Sequence, residues 1–201
     1  MSQTAEFFFD FGSPTAYLAW TQLPGLCRDA GAQLVWRPML LGGVFKATGN
    51  ASPVSVPAKA RWMHADMARW ARRYGVPLVL NPHFPINTLT PMRIAAGLQL
   101  RRPADFERYV DTVYRAMWQQ PRNLGDGAVL AQLLRDAGFD ADALLALASD
   151  AEVKARLVAT TEEAVARGVF GAPTVFVGEQ MFFGQDRLDF VREALAAAAL
   201  R

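Results

Sequence analysis

EFFFDFGSPTAYL, residues 6–18, is the stretch of sequence that decides the fold. Its first part, residues 6–11, is apolar and aromatic, which is typical of a buried strand. Ser13-Pro14 then has the form of a helix start, because serine caps free backbone N–H groups and proline suits the first helical position. The apolar residues of the helix that follows include Tyr17, Leu18, Trp20, Leu23 and Leu26. The stretch therefore predicts a strand, a turn and a helix, with a single hydroxyl at the start of the helix.

The Ser13 hydroxyl has two interpretations. In the first, it only caps the helix. In the second, it helps to hold an anion, because the free N–H groups and the positive end of the helix dipole attract negative charge and stabilise thiolates. A hydroxyl cannot exchange disulfides, but it can donate a hydrogen bond to another molecule's thiolate. Both interpretations are compatible with the motif alone.

The rest of the chain continues in three blocks. Residues 33–38 (QLVWRP) predict a second strand, and the Gly-rich residues 40–50 predict a long loop after it. Residues 58–167 are almost entirely helical in pattern, with one helix expected to start at Thr90-Pro91. Residues 175–177 and 181–183 predict a hairpin, and residues 184–186 start a last helix. The order is β-α-β, a block of helices, then β-β-α.

Composition indicates an ordinary globular chain. Of its 201 residues, 52% are hydrophobic and 20% are charged, with a net charge of +2 and no basic-aromatic stripe, so we expect no nucleic-acid partner. The single cysteine, Cys27, excludes an internal disulfide and is expected to be buried. With one cysteine and two histidines, we expect no metal site. Residues 1–5 lack a signal-peptide pattern and no apolar run reaches membrane length, so we expect a cytoplasmic protein with no membrane partner.

Four blocks of sequence carry a resemblance to a known family. They are FDFGSPTAYL (residues 9–18), LGGVFKATGN (41–50), HFPINT (83–88) and GVFGAPT (168–174). Together they resemble the 2-hydroxychromene-2-carboxylate isomerases and kappa-class glutathione transferases of the DsbA-like thioredoxin superfamily. The resemblance implies an α/β thioredoxin-like fold, formed by residues 1–57 and 168–201, with an all-helical domain, residues 58–167, inserted between the β-α-β and β-β-α halves.

The resemblance also implies glutathione as the cofactor. It aligns Ser13 with a catalytic serine that hydrogen-bonds the glutathione sulfur. It aligns Ala172-Pro173 with a cis-proline loop whose backbone pairs with the glutathione peptide like an added strand. The segment expected to hold the γ-glutamyl end, with the last carboxylate on its ammonium, is Phe183, Gly184, Gln185 and Asp186. A plain cap of the final helix is the other interpretation of Asp186.

Four further polar residues fall near family contacts or suit an anionic ligand. Lys59 is expected on the glutathione side, where its charge suits a carboxylate, although a solvated lysine fits the sequence as well. Lys46, Asn50 and Asn87 are expected on the side of the second substrate. Lys46 is the candidate partner for an anionic group of that substrate.

The leading hypothesis for function is a glutathione-dependent isomerase that interconverts 2-hydroxychromene-2-carboxylate and trans-o-hydroxybenzylidenepyruvate in aromatic catabolism. Its partners are then glutathione and a small conjugated aromatic acid. A kappa-class transferase or peroxidase, which consumes glutathione, is the first alternative. A non-enzymatic thioredoxin-like binding module is the second. A Ser-His-Asp triad has little support, since His64 and His83 are far apart in sequence. The resemblance also implies a homodimer.

Overall fold

The computed structural model describes residues 3–199. Four residues at the ends of the predicted segments 1–57 and 168–201 lie outside the described residues: Met1, Ser2, Leu200 and Arg201. Two of them belong to residues 1–5, for which the sequence predicts no signal peptide. In chain order the strands and helices are β1 (Thr4–Phe9), α1 (Pro14–Asp29), β2 (Gln33–Pro38), α2 (Leu41–Thr48), α3 (Pro57–Tyr74), α4 (Leu89–Arg101), α5 (Pro103–Trp118), α6 (Gly127–Asp136), α7 (Ala141–Leu147), α8 (Ala151–Ala166), β3 (Thr174–Val177), β4 (Gln180–Phe183) and α9 (Leu188–Ala199). Short 3-10 turns cover Pro53–Ser55 and Gln185–Arg187.

The strands form one mixed sheet in the order β2-β1-β3-β4. β1 runs parallel to β2, with Thr4 opposite Gln33, and antiparallel to β3, with Phe8 opposite Thr174. β3 and β4 form the predicted hairpin. The inner strands β1 and β3 are covered on both sides, which explains why they read as nearly continuous apolar runs. The sheet and its flanking helices confirm the α/β thioredoxin-like fold class.

Alternating side chains of β1 serve two parts of the core. Phe7 and Phe9 both pack against Trp36 of β2, with ring centroids 5.8 Å apart in each pair. On the other side of the strand, Phe8 packs edge-on against Phe176 of β3 at 5.7 Å. Trp36 also contacts Phe106 of α5. One aromatic core therefore joins the sheet to the helical segment.

The division of the chain into two domains, residues 1–57 with 168–201 and residues 58–167, stays a prediction.

The segment predicted as a loop at residues 40–50 is a helix instead, α2. Its Gly42-Gly43 pair has low helix propensity, which is why the sequence favoured a loop. Tertiary contacts override that propensity: Val44 is fully buried, and the Leu41 N–H at the helix start donates to the buried Asp10 carboxylate at 2.8 Å. Gly49 ends the helix in the left-handed conformation, with φ of 70°.

The expected start of α4, with Thr90 as the cap and Pro91 as the first helical residue, is wrong by two residues. The helix begins at Leu89, so Thr90 and Pro91 lie in its first turn. The Asn87 side chain accepts from the Leu89 N–H at 3.0 Å. The hydroxyl of Thr88, the residue before the helix, donates to Asp10 rather than capping α4.

Within residues 3–199, no helix combines the length and the apolar character needed to cross a membrane.

Cys27 lies inside α1 and is only 2% exposed. Burial raises the pKa of its thiol to about 11, which disfavours the reactive thiolate. We expect the native chain to resist alkylation at pH near 8 and the urea-unfolded chain to take one label. Mass spectrometry of both samples measures this, and equal labelling rates would contradict the buried position.

Trp118, near the end of α5, links the helical segment to the end of β1. Its indole N–H donates to the Phe11 carbonyl at 2.8 Å, and the side chain is 1% exposed. Trp118→Phe should lower the free energy of unfolding by about 2 kcal/mol, because a buried carbonyl loses its donor and the ring leaves a void. Urea unfolding measures the loss. Trp62→Phe is the control, since Trp62 is 63% exposed; a loss of similar size in both variants would refute the link.

Candidate functional site

Ser13 lies where β1 leads through a tight turn into α1. Its backbone is extended, its N–H donates to the Asp10 carbonyl at 3.1 Å, and its Oγ accepts from the Ala16 N–H at 3.1 Å. The capping role predicted from Ser13-Pro14 is therefore confirmed. The side chain is 4% exposed, so its hydroxyl works in a largely water-free environment. Such a position strengthens any hydrogen bond to an anion.

The Ser13 hydroxyl also contacts the loop that precedes β3, the strand next to β1 in the sheet. Its Oγ donates to the Ala172 carbonyl at 3.0 Å, and Thr15 Oγ1 donates to the same carbonyl at 3.1 Å. The two hydroxyl oxygens are 2.9 Å apart. Thr15 was not identified from the sequence. Because Thr15 also satisfies the Ala172 carbonyl, Ser13 can turn its proton elsewhere without leaving that carbonyl unpaired.

In the loop before β3 the Ala172-Pro173 peptide bond is cis, which matches the cis-proline loop with which the resemblance aligns it. The Phe84-Pro85 bond is also cis. The Gly184 N–H donates to the Pro173 carbonyl at 3.0 Å, which joins this loop to the end of β4. Next to it, the rings of Phe170 and Phe183 lie 4.5 Å apart, and both side chains are about two-fifths exposed. An apolar surface therefore borders the cis-proline loop.

Asn50 joins the α2 side to the same loop. Its Nδ2 donates to the Phe170 carbonyl at 2.8 Å, across 120 residues of sequence. Ser13, Ala172, Pro173, Gly184 and Asn50 are thus connected by hydrogen bonds through one loop. Their proposed roles toward glutathione or a substrate stay predictions.

The segment 183–186 turns sharply after β4. Gly184 has φ of 102°, a left-handed conformation that suits glycine. Gln185 is buried, and its carbonyl accepts from the Tyr74 hydroxyl at 2.5 Å. The Asp186 carboxylate pairs with its neighbour Arg187 at 2.7 Å and borders a cavity of about 270 Å³ between α1, α3 and α9. Ser13 does not line that cavity, and Asp186 holds Arg187 through only one of its two carboxylate oxygens, Oδ2.

The two lysines and Asn87 stand apart from this hydrogen-bonded group. Lys46 on α2 and Lys59 on α3 are exposed, and neither forms an ion pair within the described part of the chain, residues 3–199. Both cations are therefore accessible to an anionic ligand. Asn87 is exposed and uses its side-chain oxygen to hold the start of α4.

Asp10 is the residue of the site that sequence reasoning did not single out. It is 1% exposed and accepts three hydrogen bonds, from Gly12 N at 2.8 Å, Leu41 N at 2.8 Å and Thr88 Oγ1 at 2.7 Å. One carboxylate therefore fixes the turn before Ser13, the start of α2 and the residue before α4. An acidic residue directly after an aromatic strand is a signal that could have identified it, since a buried carboxylate needs such partners.

The chemistry open to this group of residues follows from its composition. A helix N-terminus and a buried hydroxyl can hold an anion, and the site offers a serine where disulfide exchange would need a thiolate. The single thiol of the chain, Cys27, is buried inside α1. The site is therefore suited to bind an external thiolate rather than to exchange disulfides by itself.

Comparisons with known proteins agree with this geometry. A sequence model of the DsbA-like thioredoxin domain matches residues 4–196. The 2-hydroxychromene-2-carboxylate isomerase of Sphingobium xenophagum is 36% identical, over 97% of this chain and 99% of that protein. The kappa 2 glutathione S-transferase of Caenorhabditis elegans is 30% identical, over 96% of this chain and 92% of that protein. The solved structure of a 2-hydroxychromene-2-carboxylate isomerase superimposes with a TM-score of 0.83 at 30% identity, covering 98% of this chain and 96% of that one.

The buried carboxyl of Asp10 is expected to make the stability of the fold depend on pH. Burial raises the pKa of Asp10 against the lowering effect of its three hydrogen bonds. The pKa of such a carboxyl is higher in the folded chain than in the unfolded chain. Its contribution to stability is therefore complete below the pKa of the unfolded chain and is lost as the pH rises through the pKa of the folded chain. The free energy of unfolding of the wild type minus that of Asp10→Asn should therefore fall as pH rises from about 4, and then level off.

Urea unfolding of both proteins at a series of pH values measures this difference. Asp10→Asn should also be less stable than the wild type at neutral pH, because an amide cannot accept from all three donors. Asp189→Asn, which makes the same change at an exposed carboxyl, is the control. A difference that rises with pH would contradict the account of Asp10.

Proposed function

We propose that this chain, which belongs to the DsbA-like thioredoxin domain family, is a glutathione-dependent isomerase acting on 2-hydroxychromene-2-carboxylate or a closely similar conjugated aromatic acid. The observation that carries the proposal is Ser13: a buried hydroxyl at a helix start, facing the cis-proline loop, where a redox enzyme of this fold would need a thiol. The relative at 36% identity, named as such an isomerase, supports the reaction type.

The residues present fit glutathione. Ser13 has one proton to donate, and Thr15 keeps the Ala172 carbonyl satisfied while that proton turns toward a sulfur atom. The positive end of α1 adds to the stabilisation of a thiolate. The Ala172 carbonyl already accepts from both hydroxyls, so a glutathione peptide pairing with Ala172 as an added strand must share or replace one of these bonds.

Glutathione, when bound, would supply a thiolate, a nucleophile whose reversible addition to a conjugated double bond allows that bond to rotate. The role of the protein is to keep that thiol ionised and to orient the acid beside it. Ser13 and the start of α1 lower the pKa of the thiol. Lys46 is proposed to pair with the substrate carboxylate, with Asn50 and Asn87 as polar contacts. The exposed pair Phe170 and Phe183 offers an apolar surface beside the loop.

The other end of glutathione is assigned to the segment Phe183, Gly184, Gln185 and Asp186, together with Lys59. Asp186 is proposed to bind the γ-glutamyl ammonium, and Lys59 a carboxylate. Asp186 holds Arg187 through Oδ2, so its other carboxylate oxygen, Oδ1, is proposed to accept from the ammonium. The homodimer, the cytoplasmic location and the place in aromatic catabolism also remain proposals.

A kappa-class glutathione transferase or peroxidase is the second candidate. The kappa relative at 30% identity, matched over 96% of this chain, favours it. The same hydroxyl and helix start serve both reactions, because each needs a bound thiolate. The two functions differ in the fate of glutathione: an isomerase returns it, and a transferase or peroxidase consumes it.

The test follows the ultraviolet absorbance of 2-hydroxychromene-2-carboxylate with and without glutathione while free thiol is counted. Isomerisation that requires glutathione and conserves thiol supports the proposal. Loss of thiol with substrate turnover replaces it with the transferase. Calorimetric titration that detects no glutathione binding replaces both with a non-enzymatic binding module.

Ser13→Ala should lower kcat/KM for isomerisation by about 10²–10³, because one buried donor to an anion is lost. Its fold should persist, since Ala16 loses only a cap and Thr15 still donates to Ala172. Circular dichroism and thermal unfolding check the fold. Ser55→Ala, in an exposed 3-10 turn, is the matched control and should keep full activity. Full activity of Ser13→Ala would refute the thiolate-holding role.

Asp186→Asn should weaken glutathione binding about tenfold, because the γ-glutamyl ammonium loses its carboxylate partner. Isothermal titration calorimetry measures the change. Asp142→Asn is the control, since Asp142 on α7 also pairs with an arginine, Arg135, but does not line the cavity that Asp186 borders. If Asp186→Asn binds glutathione as tightly as the wild type does, Asp186 does not contact the ligand and only pairs with Arg187.

A further inference from the structure

A second concave surface lies between α2, α4 and α8, apart from the Ser13 site. We call it the α2–α4–α8 groove, and its volume is about 480 Å³, within the range of small-molecule sites. None of the residues predicted for glutathione or substrate lines it. The residues that do are Leu40, Gly43, Ala47, Leu89, Arg93, Lys154, Leu157, Val158, Thr161, Glu162, Val165 and Ala166.

The walls of the groove are apolar and held in place. Leu157 of α8 is 3% exposed and forms part of the base, whereas Val158 beside it is 55% exposed. The Leu40 N–H donates to Thr161 Oγ1 at 3.0 Å, which pins the start of α2 to α8. The groove is therefore built from packed helices rather than from mobile loops.

Two cations border this apolar surface; Asp150, the cap of α8 one turn before Lys154, attracts that lysine from beyond ion-pair distance. Arg93 and Lys154 are half-buried, yet between residues 3 and 199 neither takes part in an ion pair or donates a side-chain hydrogen bond. Glu162 is the one acid among the lining residues of the groove, and it is exposed and outside ion-pair distance of both. Partly desolvated cations gain more from an anion than fully hydrated ones do.

We propose that the α2–α4–α8 groove binds a small amphipathic monoanion, with its apolar body on Leu157 and Val158 and its carboxylate or sulfonate on Arg93 and Lys154. Charge complementarity selects this ligand class, since an apolar groove edged by unpaired cations matches an apolar anion. The proposal does not depend on the proposed function, because no residue is shared between the two sites.

The test uses two fluorescent probes with the same aromatic skeleton. In the Lys46→Gln variant, which lacks the cation proposed for the substrate, the anion 1-anilinonaphthalene-8-sulfonate should bind saturably at one site per chain, and the neutral N-phenyl-1-naphthylamine at least tenfold more weakly. Arg93→Gln and Lys154→Gln should each weaken binding of the anionic probe about five- to tenfold. Arg156→Gln is the matched control, because Arg156 is on α8 but does not line the groove. Val158→Trp, which fills the groove, should abolish binding.

Three results would overturn the proposal. The first is equal affinity of the anionic probe for the wild type, Arg93→Gln and Lys154→Gln. The second is equal affinity for the neutral and the anionic probe. The third is that a second copy of the chain occupies the groove. Sedimentation velocity would then show a dimer, and Val158→Glu would dissociate it. Glutathione titrations should be unchanged in Arg93→Gln, which separates failure of this site from failure of the Ser13 site.

Discussion

The buried carboxylate of Asp10 is the interaction on which the geometry of the site depends. It accepts hydrogen bonds from the turn before Ser13, from the first residue of α2 and from Thr88 before α4. A buried carboxylate without hydrogen-bond donors would be strongly unfavourable. The carboxylate of Asp10 is therefore stable at this position only because the three donors are present. Segments 31 and 78 residues away from Asp10 in sequence are thereby held at the end of β1.

Ser13 takes its chemical character from that frame. The turn fixed by Asp10 sets Ser13 at the start of α1, and the Ala172 carbonyl receives its hydroxyl proton together with that of Thr15. A second donor on the same carbonyl leaves Ser13 able to change partner. The fold thus combines a rigid backbone with one adjustable hydroxyl, an arrangement suited to a ligand that carries its own nucleophile.

Local patterns in the sequence predicted the parts of the structure that local energetics decide. The aromatic run of β1, the Ser13-Pro14 helix start and the hairpin of β3 and β4 could be read directly from residue types. α2 could not, because Gly42-Gly43 disfavours a helix and the stabilising contacts of Val44 and Asp10 come from distant segments. Thr15 and Asp10 were missed for the same reason: their partners are set by tertiary packing, which one sequence does not display.

The central claim is that the Ser13 site holds a thiolate supplied by another molecule. The most direct measurement is the ultraviolet absorbance of the thiolate of glutathione bound to the wild-type chain, recorded across a range of pH. The account predicts that the bound thiol titrates clearly below the ~8.5 of a free thiol, so that it is mostly ionised at neutral pH. Titration of the bound thiol at its free value would contradict it.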